Sequence, residues 1–486
     1  MIRRSRLAAL LAGAAAVLGF SPLDVPIATL VALAVLVHLW MRAESPRAAF
    51  LDGYAFGLGL FLAGVSWIYV SLARYGGMPA PLAAIATLGF CAFLALFPAA
   101  AGWAHAKFAR PQTFLLSIPA WWVLFEWLRG WILTGFPWLS VGYAAIDTPL
   151  AGYAPVGGSF LLSFLFLTAA GLLCLVAAGQ RRMLAAGAFA LIGVAGAALQ
   201  RVEWTEPAGA PVEVGLLQGN IPQQQKFYPE RYGRMLRAYA LLAEASPARL
   251  IVLPETALPR FLDLVDPGYL QLLGDIARRN GGDLLIGAPR RTEPGVYYNS
   301  VLSLGSSPPA IYDKRHLVPL GEFVPPGLHW LVLGLLRIPL ADFSRGADDQ
   351  RPLAVAGQKV AVNVCYENAF GAEIARMLPE ASLLINVSNV AWFGDSLAPG
   401  QHLQISRMRA LETGRAHLMA TNTGITAAID ANGAVQDQLP QFVAGELRVH
   451  AQGRSGATPY VRFPDWPVIA LCAALAAFFA LRWRSR

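Results

Sequence analysis

Apolar residues dominate the first two hundred positions. They gather in windows near Leu7–Phe20, Pro26–Met41, Leu51–Val70, Pro81–Ala104, Phe114–Trp131, Phe160–Ala178 and Met183–Leu199, and again near Pro467–Leu481. Windows of about 16 to 22 apolar residues approach the length that crosses a hydrocarbon core, so the pattern predicts a membrane α-helical bundle of about eight transmembrane helices. Between Val202 and Val461 the pattern changes to short β-branched runs alternating with segments of helical period. Strands are predicted over Val212–Gln218, Arg249–Leu253, Asp283–Ala288, Asn299–Leu304, Lys359–Val364, Ser382–Val387, Ala416–Thr421 and Thr426–Ile429, with a hairpin turn at Asn432-Gly433. Helices are predicted over Pro229–Ala245, Pro267–Asn280, Ala369–Leu378 and Gln401–Thr413, and this alternation predicts an α/β sandwich. The expected organisation is seven helices over 1–201, a soluble domain over 202–460 and an eighth helix over 461–486.

Composition agrees with two environments in one chain. At 56% hydrophobic and 14% charged residues, with a mean hydropathy of +0.48, the chain is too apolar for an ordinary soluble enzyme. Its middle is too charged for a pure bundle. Cations fall on alternate connections: Arg3, Arg4 and Arg6, then Arg42 and Arg47, Lys107 and Arg110, Arg181 and Arg182, and finally Arg482, Arg484 and Arg486, while the other connections carry little positive charge, Arg74 and Arg129 being the exceptions. Because Lys and Arg are retained on the cytoplasmic side, both termini are expected inside and the soluble domain outside. The same placement explains the net charge of +8, so nucleic acid is not an expected partner. Ser21-Pro22-Leu23-Asp24 makes a poor cleavage site, so the first window reads as a retained helix rather than a signal peptide.

Three reactive side chains follow apolar strand-like runs. Glu255 comes after Leu250–Pro254, Lys314 lies in Ile311-Tyr312-Asp313-Lys314-Arg315-His316, and Cys365 ends Val360–Val364. Ligands of open α/β sheets bind in the crevice at the carboxyl ends of strands. A carboxylate to take a thiol proton, a thiol nucleophile and an ammonium to hold an oxyanion make an acyl-transfer site. Singly, each residue also has a bland reading: Glu255 as a helix first-turn charge, Lys314 as a solvated cluster, Cys365 as inert core. Cys91, Cys174 and Cys472 fall in predicted spans, where cysteine acts as a small hydrophobe, so Cys365 has no expected disulfide partner.

The longer motifs decide between these readings. Leu253-Pro254-Glu255-Thr256-Ala257, the run Tyr312 to Pro325 and Cys365-Tyr366-Glu367 resemble, in order and separation, the Glu-Lys-Cys triad of the nitrilase, or carbon-nitrogen hydrolase, superfamily. With helices on both sides, the chain resembles the apolipoprotein N-acyltransferase family. Gln218–Gln223, Phe136–Ser140, Ser388–Ser396, Arg407–Glu412 and Thr421–Gly424 extend the resemblance over nearly the whole chain. It departs from the family at Phe227, where a Trp is common after Lys226, and at Asn389-Val390, where the family has Asn-Asp.

The resemblance implies an extracytoplasmic nitrilase-like αββα sandwich, a multi-pass protein of the bacterial inner membrane, and a periplasmic catalytic domain that needs no metal or cofactor. It implies that a phospholipid, expected to be phosphatidylethanolamine, acylates Cys365, and that the α-amino group of a diacylglyceryl apolipoprotein then attacks the thioester. Glu255 would be the base and Lys314 the oxyanion cation. Glu322 would orient the lysine or shuttle protons, the Tyr366 N–H would complete an oxyanion hole, and Glu367 would hold a neighbouring loop or the incoming amine. Phe136, Trp138, Phe227, Trp392 and Phe393 are the expected substrate contacts. The competing expectation is a membrane-anchored amidase that uses the same triad and admits water; a transporter or catalytically dead scaffold fits poorly, because the spans carry few charges to line a polar path.

Overall fold

The computed structural model describes residues 2–324 and 342–484, which leaves the motif residue Pro325 and the terminal Arg486 outside the described residues. The chain divides into two compact units. One contains Met1–Tyr69, Pro79–Glu203 and Arg462–Arg486, and the other contains Val70–Met78 and Trp204–Val461.

The first unit is helical. Its main helices are Ile2–Ala16, Pro26–Met41, Pro46–Val65, Ala80–Leu94, Leu96–Phe108, Phe114–Arg129, Ala154–Ala177, Arg182–Leu199 and Trp466–Arg484. Among the described residues, Pro46–Val65, Ala80–Phe108, Pro149–Ala177 and Arg182–Leu199 are long and apolar enough to cross a membrane, while Pro26–Met41 and Trp466–Arg482 are shorter apolar helices. Small residues let helices touch: a Cβ on Gly13 would lie 1.9 Å from the Phe56 carbonyl oxygen, and one on Gly59 would lie 2.1 Å from that of Leu10. Leu184, Leu191 and Val194 are exposed on Arg182–Leu199, an apolar surface suited to lipid.

The second unit is a two-sheet sandwich. Its elements are β1 (Val212–Gln218), α1 (Pro229–Ala245), β2 (Leu250–Val252), α2 (Pro267–Arg279), β3 (Asp283–Glu293), β4 (Val296–Gly305), β5 (Ile311–Asp313), β6 (Leu353–Val355), β7 (Gln358–Val364), β8 (Leu383–Ser388), α3 (Ala398–Thr413), β9 (His417–Thr421), β10 (Thr426–Ile429), β11 (Val435–Leu439) and β12 (Gly445–Ala451). The sheet orders are β12-β1-β2-β3-β4-β5 and β11-β10-β9-β8-β7-β6. Parallel pairs β1/β2, β2/β3, β7/β8 and β8/β9 form the sheet centres, and antiparallel strands flank them. Val214, Leu216 and Val252 of one sheet pack against Val362, Ile385 and Leu418 of the other. The outer faces are covered by helices: Tyr239 of α1 and Leu273 of α2 meet Ile251 and Leu284, while Leu403 and Ala410 of α3 meet Met419 and Ile429. The layers are therefore α, β, β, α.

Sequence pattern missed the flanking strands β5, β6, β11 and β12. In β11 the segment Gln436-Asp437-Gln438 is exposed and polar, so no apolar alternation marks it. The expected helix Ala369–Leu378 is α-helical only over Gly371–Ala375, because Cys365–Ala369 closes into a tighter 3-10 turn. That turn forms because the Glu367 carboxylate accepts from the Val364 N–H at 2.7 Å.

Candidate active site

Glu255, Lys314 and Cys365 each sit just past a strand, after β2, β5 and β7 respectively. The backbone is left-handed at two of these exits, with φ of 50° at Thr256 and 52° at Cys365. A non-glycine residue there costs of order 1–3 kcal/mol and persists only where its surroundings enforce it. At Cys365 the enforcing contacts reach its carbonyl oxygen, which accepts from Asn386 Nδ2 and meets His402 Nε2, each at 3.2 Å. At Glu255 a close approach does the same: a Cβ on Gly287 of β3 would lie 2.7 Å from the Glu255 Cα, so only glycine lets β3 pass.

Hydrogen bonds join the charged groups into one network. Lys314 Nζ lies 2.9 Å from Glu322 Oε1, 2.8 Å from Glu322 Oε2 and 3.5 Å from Glu255 Oε1. Asn299 Nδ2 donates to Glu255 Oε1 and Glu322 Oε1, both at 2.8 Å, and the Asn299 carbonyl accepts from the Lys314 N–H at 2.8 Å. The second Glu255 oxygen accepts the Asn389 N–H at 2.8 Å, and Glu322 Oε2 accepts the Val318 N–H at 2.8 Å. Every carboxylate oxygen of Glu255 and Glu322 thus has a donor.

Burial opposes the charge on Lys314, but the Glu322 and Glu255 carboxylates outweigh it and hold the ammonium protonated far above its ordinary range. Burial pushes the Cys365 thiol up to about 12; the Glu255 charge adds to this, while Lys314 and Ser388 pull against it. At rest the site holds a thiol, so a proton acceptor is needed to make the nucleophile. Burial holds His402 neutral, at about 4, so it meets the Cys365 carbonyl as an uncharged ring.

Glu367 stands behind this cluster. One of its oxygens accepts from Arg315 N–H at 2.7 Å, His316 N–H at 3.2 Å and Tyr312 Oη at 2.9 Å, and the other accepts from Val364 N–H at 2.7 Å. It fastens the Lys314 segment to the Cys365 turn. Four groups donate to its oxygens, and Tyr312 Oη also lies 3.0 Å from the second. Tyr366 is buried, with its ring 5.2 Å from Phe370 and 5.7 Å from His316. Trp392 is half-buried, its carbonyl accepts from Ser71 Oγ at 2.8 Å, and its ring meets Tyr75 edge-on at 6.1 Å; Phe393 beside it is also half-buried. Phe227 is half-buried next to the fully buried Lys226.

Phe136 and Trp138 belong to the helical unit, where their rings stack at 6.1 Å. Trp138 is buried with its ring 5.6 Å from Trp67, and Arg129 donates to the Phe136 and Trp138 carbonyls at 2.7 and 2.5 Å. Sequence reasoning passed over Asn299, Asn386, Asn389, His402 and the side chain of Lys226. The available signal was a buried amide within an apolar strand, as at Asn299 in β4 and Asn386 in β8.

Comparison with known proteins adds to this geometry. Residues 12–172 match the apolipoprotein N-acyltransferase N-terminal domain, and residues 213–459 match the carbon-nitrogen hydrolase family. An apolipoprotein N-acyltransferase of Nitrosomonas europaea is 50% identical across 98% of this chain and 98% of its own. Those of Chromobacterium violaceum and Methylococcus capsulatus are 47% and 45% identical, each over 99% of this chain and over 94% and 97% of their own.

Proposed function

The chain belongs to the apolipoprotein N-acyltransferase family, and from that premise we propose that it moves an acyl chain from a phospholipid to the α-amino group of an N-terminal diacylglyceryl cysteine through a thioester on Cys365. It is an acyltransferase with a nitrilase-like fold, acting on lipid and lipoprotein substrates. The observation that carries the chemical reading is the single network joining Glu255, Asn299, Glu322 and Lys314, set against a protonated thiol.

Glu255 takes the Cys365 proton and the sulfur attacks the phospholipid ester carbon, for which phosphatidylethanolamine is our proposed donor. Lys314 holds the oxyanion, with the Tyr366 N–H as a second proposed donor. Collapse breaks the C–O bond, and Glu255 returns its proton to the departing lysophospholipid oxygen. The neutral amine of the acceptor then attacks the thioester, Glu255 takes the amine proton, the C–S bond breaks, and Glu255 passes that proton to the departing sulfur to restore the thiol. Glu322 and Asn299 keep Lys314 and Glu255 aligned through both halves. Trp392, Phe393 and Phe227 are the proposed apolar contacts in the catalytic unit, and Phe136 and Trp138 those in the helical unit.

We place the protein in the bacterial inner membrane with about eight spans, residues 202–460 in the periplasm and both termini inside, on the strength of the alternating cationic connections. The amidase reading is not favoured, because family membership covers the helical region as well as the hydrolase domain. The test is a reconstituted reaction with phospholipid and a synthetic diacylglyceryl lipopeptide, followed by mass spectrometry. N-acylated lipopeptide plus lysophospholipid is the expected pair of products, whereas free fatty acid with unmodified lipopeptide would mean hydrolysis.

A further inference from the structure

Lys226 is 1% exposed, and its Nζ lies 3.2 Å from the main-chain carbonyl oxygen of Glu255. The steps above do not use it. A buried lysine with one carbonyl for a partner is costly unless its charge is answered nearby, and Glu255 supplies the charge that acts on it. The reverse relation matters for chemistry. Lys314 cannot serve both carboxylates equally, since it sits 2.8 to 2.9 Å from the Glu322 oxygens and 3.5 Å from Glu255. Two buried carboxylates therefore share one close cation, and the carboxylate more weakly served is the base.

The turn that carries Lys226 is tied to Glu255 by a second route. Gln223 Oε1 accepts from Asn389 Nδ2 at 2.9 Å, and the Asn389 N–H donates to Glu255 Oε2 at 2.8 Å. Main chain and carboxylate of Glu255 are thus both held from residues 223–226, and directly after Glu255 the chain turns left-handed at Thr256.

We propose that Lys226 is a positioning residue for the base: it anchors the Glu255 main chain and supplies a second cation near the base. This rests on the reading of Glu255 as the base for Cys365. Burial draws the Lys226 amine down to about 7, with Glu255 resisting that shift. The lysine is therefore charged on the acidic side of neutrality.

The experiment measures alkylation of Cys365 by iodoacetamide in the full-length reconstituted protein from pH 4.5 to 8.5, read on the Cys365 peptide by mass spectrometry. In Lys226→Met the acid-side midpoint should move up by roughly one pH unit, the size expected on removing an opposite charge from a carboxylate's neighbourhood. Lys226→Arg, which keeps the charge, should restore the wild-type midpoint. A uniform fall in rate with an unmoved midpoint would mean a packing role only and overturn the proposal. Should Lys226→Met not fold, Lys226→Gln against Lys226→Arg makes the same comparison, and equal midpoints in the two would overturn it. Alkylation needs no phospholipid, so an error in the acyl-transfer reading would appear separately, as wild-type protein that shows the pH profile but gains no acyl group.

Discussion

Replacing Glu255 with Gln keeps the shape of the side chain and removes its capacity to accept the thiol proton. The consequence can be worked from the thiol itself, which burial and the Glu255 charge hold at about 12. At pH 7.5 an unassisted thiol of that kind is ionised only to about one part in 10⁴ to 10⁵. Loss of a general base costs roughly 10²–10⁴ in rate. What remains in Glu255→Gln should depend on hydroxide. Removing the Glu255 charge brings the thiol down somewhat, yet desolvation, the larger cause, remains, so the rate should climb close to tenfold per pH unit from 7.5 to 9.5 with no plateau near the free-thiol value of about 8.5. Lys314→Met should behave differently. Losing an oxyanion donor costs about 2.7–4 kcal/mol, or roughly 10²–10³ in rate, but the base is intact and the rate should stay nearly level over the same range. The assay is single-turnover acylation of Cys365 from phospholipid, followed by intact mass across pH. A level profile in Glu255→Gln, or the same tenfold slope in both variants, would refute the assignment of base and oxyanion cation.

Glu367→Gln should lower acylation at least 100-fold and destabilise the protein by about 1–3 kcal/mol, because an amide NH₂ would face donors from Arg315, His316, Tyr312 or Val364; activity together with thermal unfolding checks this. Buried His402 and His417 are held neutral, at about 4 and about 3, by desolvation. Their unfolded forms bind protons first as pH falls through about 6.5, so stability should be full above that value and decline toward pH 4; denaturation midpoints of the wild type against His417→Gln measure the slope, which the variant should reduce. A reporter active only outside the cytoplasm should work when fused after Val202 and fail after Arg182 or Arg486, and the opposite pattern would overturn the orientation.

The parts of the site legible in sequence were those where chemistry breaks a strand pattern: a carboxylate, a lysine and a thiol each just beyond an apolar run. Parallel strands β2 and β7 are buried on both faces and read as continuous β-branched runs, so Glu255 and Cys365 were placed without difficulty. Lys314 follows a strand of only three residues, so its run is a weaker mark than the motif around it. The residues that orient the triad left no periodic trace. Asn299 matters through a side chain that bridges two carboxylates, and Asn389 through its main-chain N–H. Backbone hydrogen bonds carry no sequence preference, so a role such as that of Asn389 emerges only once the fold sets β8 beside β2's exit. Edge strands such as β11 were lost for a related reason: half their surface meets solvent, and polar residues there erase the alternation that marks a strand.

The most direct test of the covalent account is the mass of Cys365 after the purified protein meets phospholipid with no acceptor present. A gain of one acyl group on the Cys365 peptide, absent in Cys365→Ala and discharged on adding diacylglyceryl lipopeptide, is the predicted result. Unmodified Cys365 accompanied by full N-acylation of the lipopeptide would contradict it.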